Sequence, residues 1–307
     1  MCDLKFAAMI TSKSQTFSLA VTGLVKLKGL FELTKFRLSF FVVLSGAIGY
    51  LLGLKDAFDL SLFLIFCLGS FLITASANTI NQIIEIESDK LMSRTQNRPL
   101  PGGRLSVYEA VLFSGFTGIT GFYLIFIFIN PLTAYLALLS LVLYAFAYTP
   151  LKKVTPWAVF VGAFPGALPP LIGWAGATGY LGFEAFIIFG IQFIWQFPHF
   201  WAIAWVLDDD YKKAGIKLLP SGGGRNLNTA FQIMIYTLFL IPFGLLPANF
   251  GMTGITSAVI TTTCGVLFLA QTFYLMKDGS KKSAMKIMFG SFLYLPIVQI
   301  AMLMDKI

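Results

Sequence analysis

Three oxygen-bearing side chains recur at intervals of four residues directly after an apolar run: Asn81, Glu85 and Asp89. On a helix this spacing places all three on one face, one turn apart. Two carboxylates and an amide oxygen make a hard, oxygen-only surface. Such a surface suits Mg²⁺, which keeps several waters and takes only one or two carboxylates from a protein. The spacing therefore predicts a site for Mg²⁺ that carries a diphosphate.

Cations follow these three side chains at short distance along the chain: Lys90, Arg94 and Arg98. Because guanidinium groups pair bidentately with phosphate, we predict that these cations bind the same diphosphate. Asn78 is assigned to substrate binding, because an uncompensated amide at the end of an apolar segment is costly. Residues 99–103, rich in Pro and Gly, then end the helix. The alternative is an ordinary solvated loop, which charged residues between membrane helices usually form.

A second acidic stretch, residues 207–227, repeats this order of carboxylates, cations and a Pro/Gly-rich turn. Its carboxylates are Asp208, Asp209 and Asp210, and Lys212 follows them. We predict that these side chains bind substrate from the other side of one cavity, with Asp209 as a further metal ligand. The alternative for the three aspartates is an exposed helix cap or Asx turn.

The composition of the chain is that of a membrane protein. Of its 307 residues 57% are hydrophobic and 12% charged, and the mean hydropathy is +0.80, whereas a soluble domain has about 25% charged residues. A bilayer core of about 30 Å needs roughly 20 apolar residues per helix. Runs of that length predict an all-α, polytopic protein with membrane spans near residues 37–54, 60–80, 107–128, 132–149, 156–177, 183–205, 228–247, 252–275 and 284–304.

The distribution of basic residues predicts the orientation of these spans. With the N-terminus inside, only Lys55 and Lys306 of the 22 Lys and Arg fall on the outer side. The positive-inside rule then predicts an inner N-terminus and an outer C-terminus. This orientation explains the net charge of +8, so nucleic-acid binding is not needed to explain it. We expect residues 1–32 to be a cytoplasmic or interfacial extension. Residues 33–307 are expected to form one domain of nine helices around a central cavity in the lipid bilayer.

Residues 81–104 resemble the first signature of the protoheme IX farnesyltransferases, a family of UbiA-type intramembrane prenyltransferases. Residues 148–153, 162–174, 195–205 and 209–220 resemble other segments of that family. The sequence departs from the superfamily pattern at two positions, with Glu85 as the first acid of NxxxDxxxD and Lys212 as the last position of DxxxD.

The resemblance implies transfer of farnesyl from farnesyl diphosphate to a vinyl group of heme b, with addition of water, to give heme O for heme–copper oxidases. It implies a multi-pass protein of the bacterial cytoplasmic (inner) membrane, with Mg²⁺ as cofactor. A downstream heme-modifying enzyme or an oxidase assembly is an expected partner.

The resemblance also extends the expected substrate-binding set to Tyr148, Lys152, Lys153 and Tyr211. With heme as substrate, imidazole ligation of iron is the expected role of His199, the single histidine of the chain. At a rise of about 1.5 Å per residue, His199 lies about 13 Å deeper than Asp208 along a helix. The alternative for a lone intramembrane histidine is a hydrogen-bonded contact between helices.

Two other functions stay open at this point. One is a UbiA-type prenyltransferase that acts on an aromatic acid in quinone synthesis. The other is a transporter with helices broken by Gly and Pro, which would carry its acidic residues at the bilayer midplane. Residues 94–104 and 198–201 favour heme as the acceptor. The acidic residues at the ends of spans, next to Arg and Lys, favour a diphosphate.

Overall fold

The computed structural model describes residues 23–55 and 57–307, without the side chains of residues 221 and 223. In this part of the chain, nine helices are long enough and apolar enough to cross a membrane. The nine-span prediction is confirmed. The first 22 residues of the predicted extension lie outside the described part. The spans are α1 (Phe36–Gly53), α2 (Leu60–Ile84), α3 (Val107–Phe128), α4 (Pro131–Leu151), α5 (Ala158–Thr178), α6 (Phe183–Lys213), α7 (Leu227–Asn249), α8 (Ile255–Asp278) and α9 (Lys281–Met304).

Shorter helical segments connect the spans. Residues 23–33 form a helix before α1, and Ile86–Leu91 and Pro220–Gly223 are short helices after α2 and α6. Within α4, the segment Leu143–Tyr148 is a π-helical turn. Several spans begin at a side chain that accepts hydrogen bonds from the first free backbone N–H groups, which favours a helix start at that residue. These caps are Asp59, Ser106, Asn130, Asn226 and Ser280.

The nine spans pack as two adjoining rings. Helices α1 to α5 contact one another in sequence, and α5 returns to α1. Helices α6 to α9 do the same, with α9 returning to α6. The rings meet where α5 packs on α6 and where α1 packs on α9. This order places the ends of α2 and α6, which carry the two acidic stretches, in neighbouring halves of the molecule.

Close approach of α1 and α5 depends on glycine. A Cβ atom at Gly173 would overlap the carbonyl of Gly46, and one at Gly49 would overlap the carbonyl of Pro170. Small residues at such crossings let two membrane helices pack backbone to backbone. The first ring is therefore closed by direct contact of its first and last helices.

Proline in α5 leaves a backbone carbonyl that α6 satisfies. Pro170 has no N–H to donate to the carbonyl of Gly166, one turn earlier. The side-chain amides of Gln192 and Gln196 both donate to that carbonyl, each at 2.8 Å. Membrane helices tolerate proline where a neighbouring helix supplies such a donor. This contact also fixes α6 against α5.

The second acidic stretch begins on a helix, because the span predicted to end near residue 205 extends further along the chain. Helix α6 continues to Lys213. Lys212 pairs with Asp208 at 2.8 Å and Lys213 with Asp210 at 3.1 Å, one turn away in each case. Opposite charges at these spacings stabilise a helix, which explains why α6 extends beyond its apolar part.

Candidate functional site

The predicted oxygen-bearing side chains lie where α2 ends. Glu85 interrupts regular helix geometry with φ −97° and ψ 7°, and the short helix Ile86–Leu91 follows. Backbone hydrogen bonds of helical spacing nevertheless continue from Glu85 N–H to Asn81 O at 3.0 Å and from Asp89 N–H to Glu85 O at 2.8 Å. The spacing of four residues thus corresponds to successive turns, as the sequence predicts.

Asn81 and Glu85 form the centre of a buried polar cluster. The Asn81 amide donates to Glu85 Oε2 at 3.0 Å and to the Thr149 hydroxyl at 2.9 Å. Lys152 pairs with Glu85 Oε1 at 2.5 Å, and its ammonium lies 4.9 Å from the centre of the Tyr148 ring. All five of these side chains are buried. The contacts join α2 to the end of α4.

Asp89 is fully buried and is paired with Arg98. The Arg98 guanidinium donates to Asp89 Oδ2 at 2.7 Å, and the Thr95 hydroxyl donates to the Asp89 carbonyl at 2.9 Å. The other carboxylate oxygen, Asp89 Oδ1, has no hydrogen-bond partner among the described residues. A buried carboxylate oxygen without a partner is costly and is suited to a cation or donor that a ligand brings.

Lys35, which is not among the site residues predicted from the sequence, also belongs to this cluster. Its ammonium donates to Asn81 Oδ1 at 3.0 Å. Burial, together with the nearby charge of Arg98, lowers the pKa of Lys35 to about 7. Burial alone would raise the pKa of Glu85, but the Lys152 ammonium and then Lys35 outweigh it and hold that pKa below its usual value. Three cations thus accompany two carboxylates, a balance that favours an added anion.

The residues present fit a hard metal ion. Asn81, Glu85 and Asp89 offer only oxygen atoms, and Asp89 Oδ1 is buried and unpartnered within the described residues. The described residues include no group of three His, Cys, Asp or Glu side chains that could hold a metal by themselves. A metal at this cluster would need oxygens from Asn81, water and substrate, which is how Mg²⁺ is commonly held beside phosphates.

The π-helical turn of α4 brings two tyrosines to the cluster. The rings of Tyr144 and Tyr148 lie 5.7 Å apart, and Phe200 of α6 lies 6.1 Å from Tyr148. The Thr149 hydroxyl donates to the carbonyl of Tyr144 at 2.8 Å, so it can accept from the Asn81 amide. π-turns occur frequently at functional sites. No pattern in the sequence indicated this turn.

The second acidic stretch contacts the first through Asp210. The backbone N–H groups of Ser93 and Arg94 donate to its two carboxylate oxygens at 3.4 Å, and the Ser93 hydroxyl lies at 3.3 Å. Both stretches are therefore at the same end of the bundle. Asp209 is not part of this contact, because its exposed carboxylate accepts from both terminal nitrogens of Arg225, at 3.0 and 3.2 Å.

Other predicted site residues lie around the cluster without joining it. Lys90 is exposed and pairs with Glu87 at 2.7 Å. Asn78 is buried, but its amide donates to Ser39 of α1 at 3.1 Å. Asp208 is buried and paired with Lys212, which is itself exposed. The side chains of the remaining three are exposed or half-buried: Arg94, Lys153 and Tyr211.

His199 is buried in the contact between α6 and α9. Its Nδ1 lies 2.8 Å from the hydroxyl of Ser291, and its ring stacks on Trp195 with centroids 4.2 Å apart. The Ser291 hydroxyl donates its single proton to the carbonyl of Met288 at 2.6 Å. Ser291 must therefore accept from His199, which places the proton on Nδ1 and the lone pair on Nε2.

A separate cavity of about 480 Å³ lies between the start of α5, α6 and α7. Aromatic side chains dominate its lining, including Trp157, Phe160, Trp201 and Tyr236. Its size is typical of small-molecule sites. None of the site residues predicted from the sequence is among its lining residues. The central cavity expected beneath the two acidic stretches stays a prediction.

The fold defines a class of membrane protein. A solved structure of digeranylgeranylglyceryl phosphate synthase is similar, with a TM-score of 0.76 at 24% identity, covering 91% of this chain and 98% of that one. A UbiA homologue from Archaeoglobus fulgidus, solved bound to GPP and Mg²⁺, gives a TM-score of 0.63 at 16% identity, over 89% and 99% of the two chains. These likenesses identify the fold as that of the UbiA homologues.

The model of the UbiA prenyltransferase family matches residues 41–295, and the chain belongs to this family. Among similar curated proteins is the protoheme IX farnesyltransferase of Cytophaga hutchinsonii. The two sequences are 57% identical over 277 residues, which cover 90% of this chain and 97% of that protein.

Proposed function

We propose that this chain transfers a farnesyl group from farnesyl diphosphate to a vinyl group of heme b, with addition of water, to form heme O. The geometric observation that carries the proposal is the cluster of Asn81, Glu85 and Asp89, in which three cations accompany two carboxylates. The cations are Lys35, Arg98 and Lys152. Similarity to the Cytophaga hutchinsonii protoheme IX farnesyltransferase supports the choice of both substrates.

The cluster would hold the diphosphate and stabilise its departure. Asn81, Glu85 and Asp89 would hold Mg²⁺, which supplies positive charge to the leaving diphosphate. Arg98 and Lys152 are oriented by their carboxylate partners and would neutralise the same growing charge, because preorganised charges in a water-poor site act strongly. The C1–O bond of farnesyl diphosphate breaks and its electron pair leaves with the diphosphate.

Aromatic rings next to the cluster would protect the allylic cation that remains. The ring of Tyr148 contacts both Tyr144 on α4 and Phe200 on α6. Their faces are electron-rich and attract a cation. C1 then bonds to the vinyl carbon of heme b, and the positive charge moves to the porphyrin side chain. Water adds there and loses a proton, which balances the reaction.

The second acidic stretch and the outer cations would complete substrate binding at the same end of the bundle. Asp210 holds the Ser93–Arg94 turn in place, and Asp208 and Lys212 lie one turn apart beside it. We assign the following side chains to substrate binding: Asn78, Lys90, Tyr148, Lys152, Lys153, Asp208, Asp209, Asp210, Tyr211 and Lys212. Arg94 is assigned to catalysis together with Asn81, Glu85, Asp89 and Arg98. Asp209 remains the fourth proposed metal ligand, although its contact is with Arg225.

The cellular setting follows from the same proposal. The protein is placed in the bacterial cytoplasmic membrane with its N-terminus inside and its C-terminus outside, because that orientation puts basic residues on the inner side. Residues 33–307 act as one prenyltransferase domain. The product heme O is passed to a heme-modifying enzyme or to an oxidase assembly.

A pigment assay tests the proposal. Membranes containing the protein are incubated with heme b, farnesyl diphosphate and Mg²⁺. The hemes are then extracted and separated, and their molecular masses are measured by mass spectrometry. We expect a product heavier than heme b by one farnesyl group and one hydroxyl group, formed only when all three additions are present. Prenylation of an added aromatic acid, with heme b unchanged, would contradict the choice of acceptor.

We also propose that His199 ligates the heme iron. Ser291 fixes its protonated nitrogen as Nδ1, so Nε2 keeps the lone pair that iron requires. Metal-ligating histidines are usually oriented in this way by a hydrogen bond from the second ring nitrogen. His199 precedes Asp208 by more than two turns of α6, so it lies deeper in the bundle than the acidic residues. An apolar porphyrin would bind at that depth.

Absorption spectra of bound heme test the role of His199. His199→Ala should remove the histidine-ligated spectrum and weaken heme binding, while Mg²⁺-dependent binding of farnesyl diphosphate stays largely intact. Ser291→Ala keeps the imidazole but removes its orienting partner, so heme affinity should fall about 10–100-fold. An unchanged heme affinity and spectrum in His199→Ala would show that the histidine is a contact between helices.

A further inference from the structure

Lys35 is held in an unusual backbone conformation. It lies between the helix of residues 23–33 and α1, with φ 48° and ψ 54°. Among the described residues it is the only one other than glycine with positive φ. A residue with a Cβ atom avoids this left-handed region, so the surrounding structure must hold it there.

Several hydrogen bonds hold this turn. The Lys35 N–H donates to the carbonyl of Glu32 at 3.1 Å, and the Lys35 carbonyl accepts from the N–H of Ser39 at 3.1 Å. The carbonyl of Thr34 accepts from the Ser39 hydroxyl at 2.7 Å and from the Asn78 amide at 3.3 Å. These bonds direct the Lys35 side chain toward the end of α2, where its ammonium reaches Asn81.

The contact with Asn81 uses the only oxygen of that amide. The amide nitrogen donates to Glu85 and to Thr149, so it must face them, and this turns Oδ1 toward Lys35. A metal ion bound to Asn81 Oδ1 would share that oxygen with the ammonium. Two cations at bonding distance of one amide oxygen repel each other strongly in a buried site.

We infer that the Lys35 ammonium competes with the metal ion for Asn81 Oδ1. Lys35 leaves Asn81 only when a diphosphate binds and pairs with the ammonium. The inference rests on the proposed prenyl diphosphate substrate. Diphosphate supplies the negative charge that the cluster lacks, and it offers Lys35 a charged acceptor in place of a neutral amide. Metal and diphosphate are therefore bound together, and each raises the affinity for the other by the same factor.

Manganese binding tests this competition without any measurement of activity. Free Mn²⁺ is followed by electron paramagnetic resonance in purified protein, with and without farnesyl thiodiphosphate as a slowly reacting substrate analogue. Three variants are compared with the unaltered chain. Lys35→Gly removes the ammonium and suits the left-handed backbone, Lys35→Arg keeps a cation, and Lys28→Met removes an exposed lysine of the preceding helix as a control.

We expect Lys35→Gly to bind Mn²⁺ alone about tenfold more tightly than the unaltered chain, and to lose most of the coupling to farnesyl thiodiphosphate. Lys35→Arg and Lys28→Met should behave as the unaltered chain does. Equal or weaker Mn²⁺ binding by Lys35→Gly, with its coupling intact, would overturn the inference.

A second measurement needs no variant. If the unaltered chain binds Mn²⁺ equally well with and without farnesyl thiodiphosphate, the two ligands are not coupled and the inference fails. The proposed function is judged separately by the pigment assay. A protein that forms heme O yet shows no effect of Lys35 on Mn²⁺ binding would refute only the competition.

Discussion

The two acidic stretches share one sequence pattern but are held in different ways. In the first, Glu85 pairs with Lys152 directly after α4, and Asn81 accepts from Lys35 before α1. These partners come from distant parts of the chain, and Lys152 is buried and Lys35 half-buried. In the second, Asp208 pairs with Lys212 one turn later on the same helix, and Asp209 pairs with Arg225 at the surface.

This difference indicates where the chemistry is concentrated. Removing one partner of a buried ion pair costs about 3–5 kcal/mol because a charge is left without compensation. Exposed pairs contribute little, because water and salt screen them. We therefore expect the first stretch to be the preorganised part of the proposed site. The second stretch is a helix end, and its Asp210 positions the Ser93–Arg94 turn.

The largest effect is expected at Asp89. Asp89→Asn removes the charge that orients Arg98 and faces the proposed metal, so turnover should fall about 10²–10³-fold. Arg98→Ala should cause a loss of the same order. Heme O formation is measured in membranes matched for the amount of inserted protein, with gel filtration in detergent as the test of folding. Near-normal turnover in folded Asp89→Asn would refute the metal assignment.

A smaller effect is expected at Asp209. Asp209 is the proposed metal ligand that is exposed and held by a surface arginine, so Asp209→Asn should lower turnover less than about tenfold. The same assay and the same substrate concentrations are used as for Asp89→Asn, which serves as the matched buried carboxylate. A loss as large as that of Asp89→Asn would show that the exposed carboxylate matters as much as the buried one and would remove the contrast between the two stretches.

The smallest effect, on stability, is expected at Glu32, which pairs with Arg104 directly after the Pro/Gly-rich turn of residues 99–103. Arg104 donates to both carboxylate oxygens of Glu32, and this hydrogen-bonded contact holds the pKa of Glu32 below its usual value. A lowered pKa in the folded state adds stability above the unfolded pKa, and that stability is lost as the pH falls through the folded pKa.

Glu32→Gln should therefore lower the melting temperature in detergent near pH 7, by about 2 °C or less. The difference from the unaltered chain should disappear as the pH falls below about 4. A difference that persists or grows in acid would show that the carboxylate charge is not what stabilises this contact.

Much of the fold was predictable because membrane spans are local features. Each needs a run of apolar residues, and the nine runs correspond to the nine helices. Helix α6 ends beyond the predicted span, because Asp208 and Asp210 pair with lysines one turn later and so stabilise the helix. Apolar length alone does not predict such an extension.

Part of the candidate site was predictable for the same reason. Asn81, Glu85 and Asp89 are neighbours through helical spacing, which a sequence displays directly. Lys35 and Thr149 were missed because their roles depend on partners in other helices. A lysine directly before the first span was the only signal for the former, and positive charge at a membrane boundary usually reports orientation alone.

The sequence by itself determined the number of spans, the family pattern and the row of oxygen atoms at the end of α2, because apolar length and helical period act within a single segment. Only the tertiary structure decided which carboxylates are buried, which cations reach them and which oxygen of Asp89 has no partner among the described residues. Those properties depend on how α1, α2 and α4 pack. A charge gains or loses its partner according to the helices that surround it, not the residues beside it in the chain.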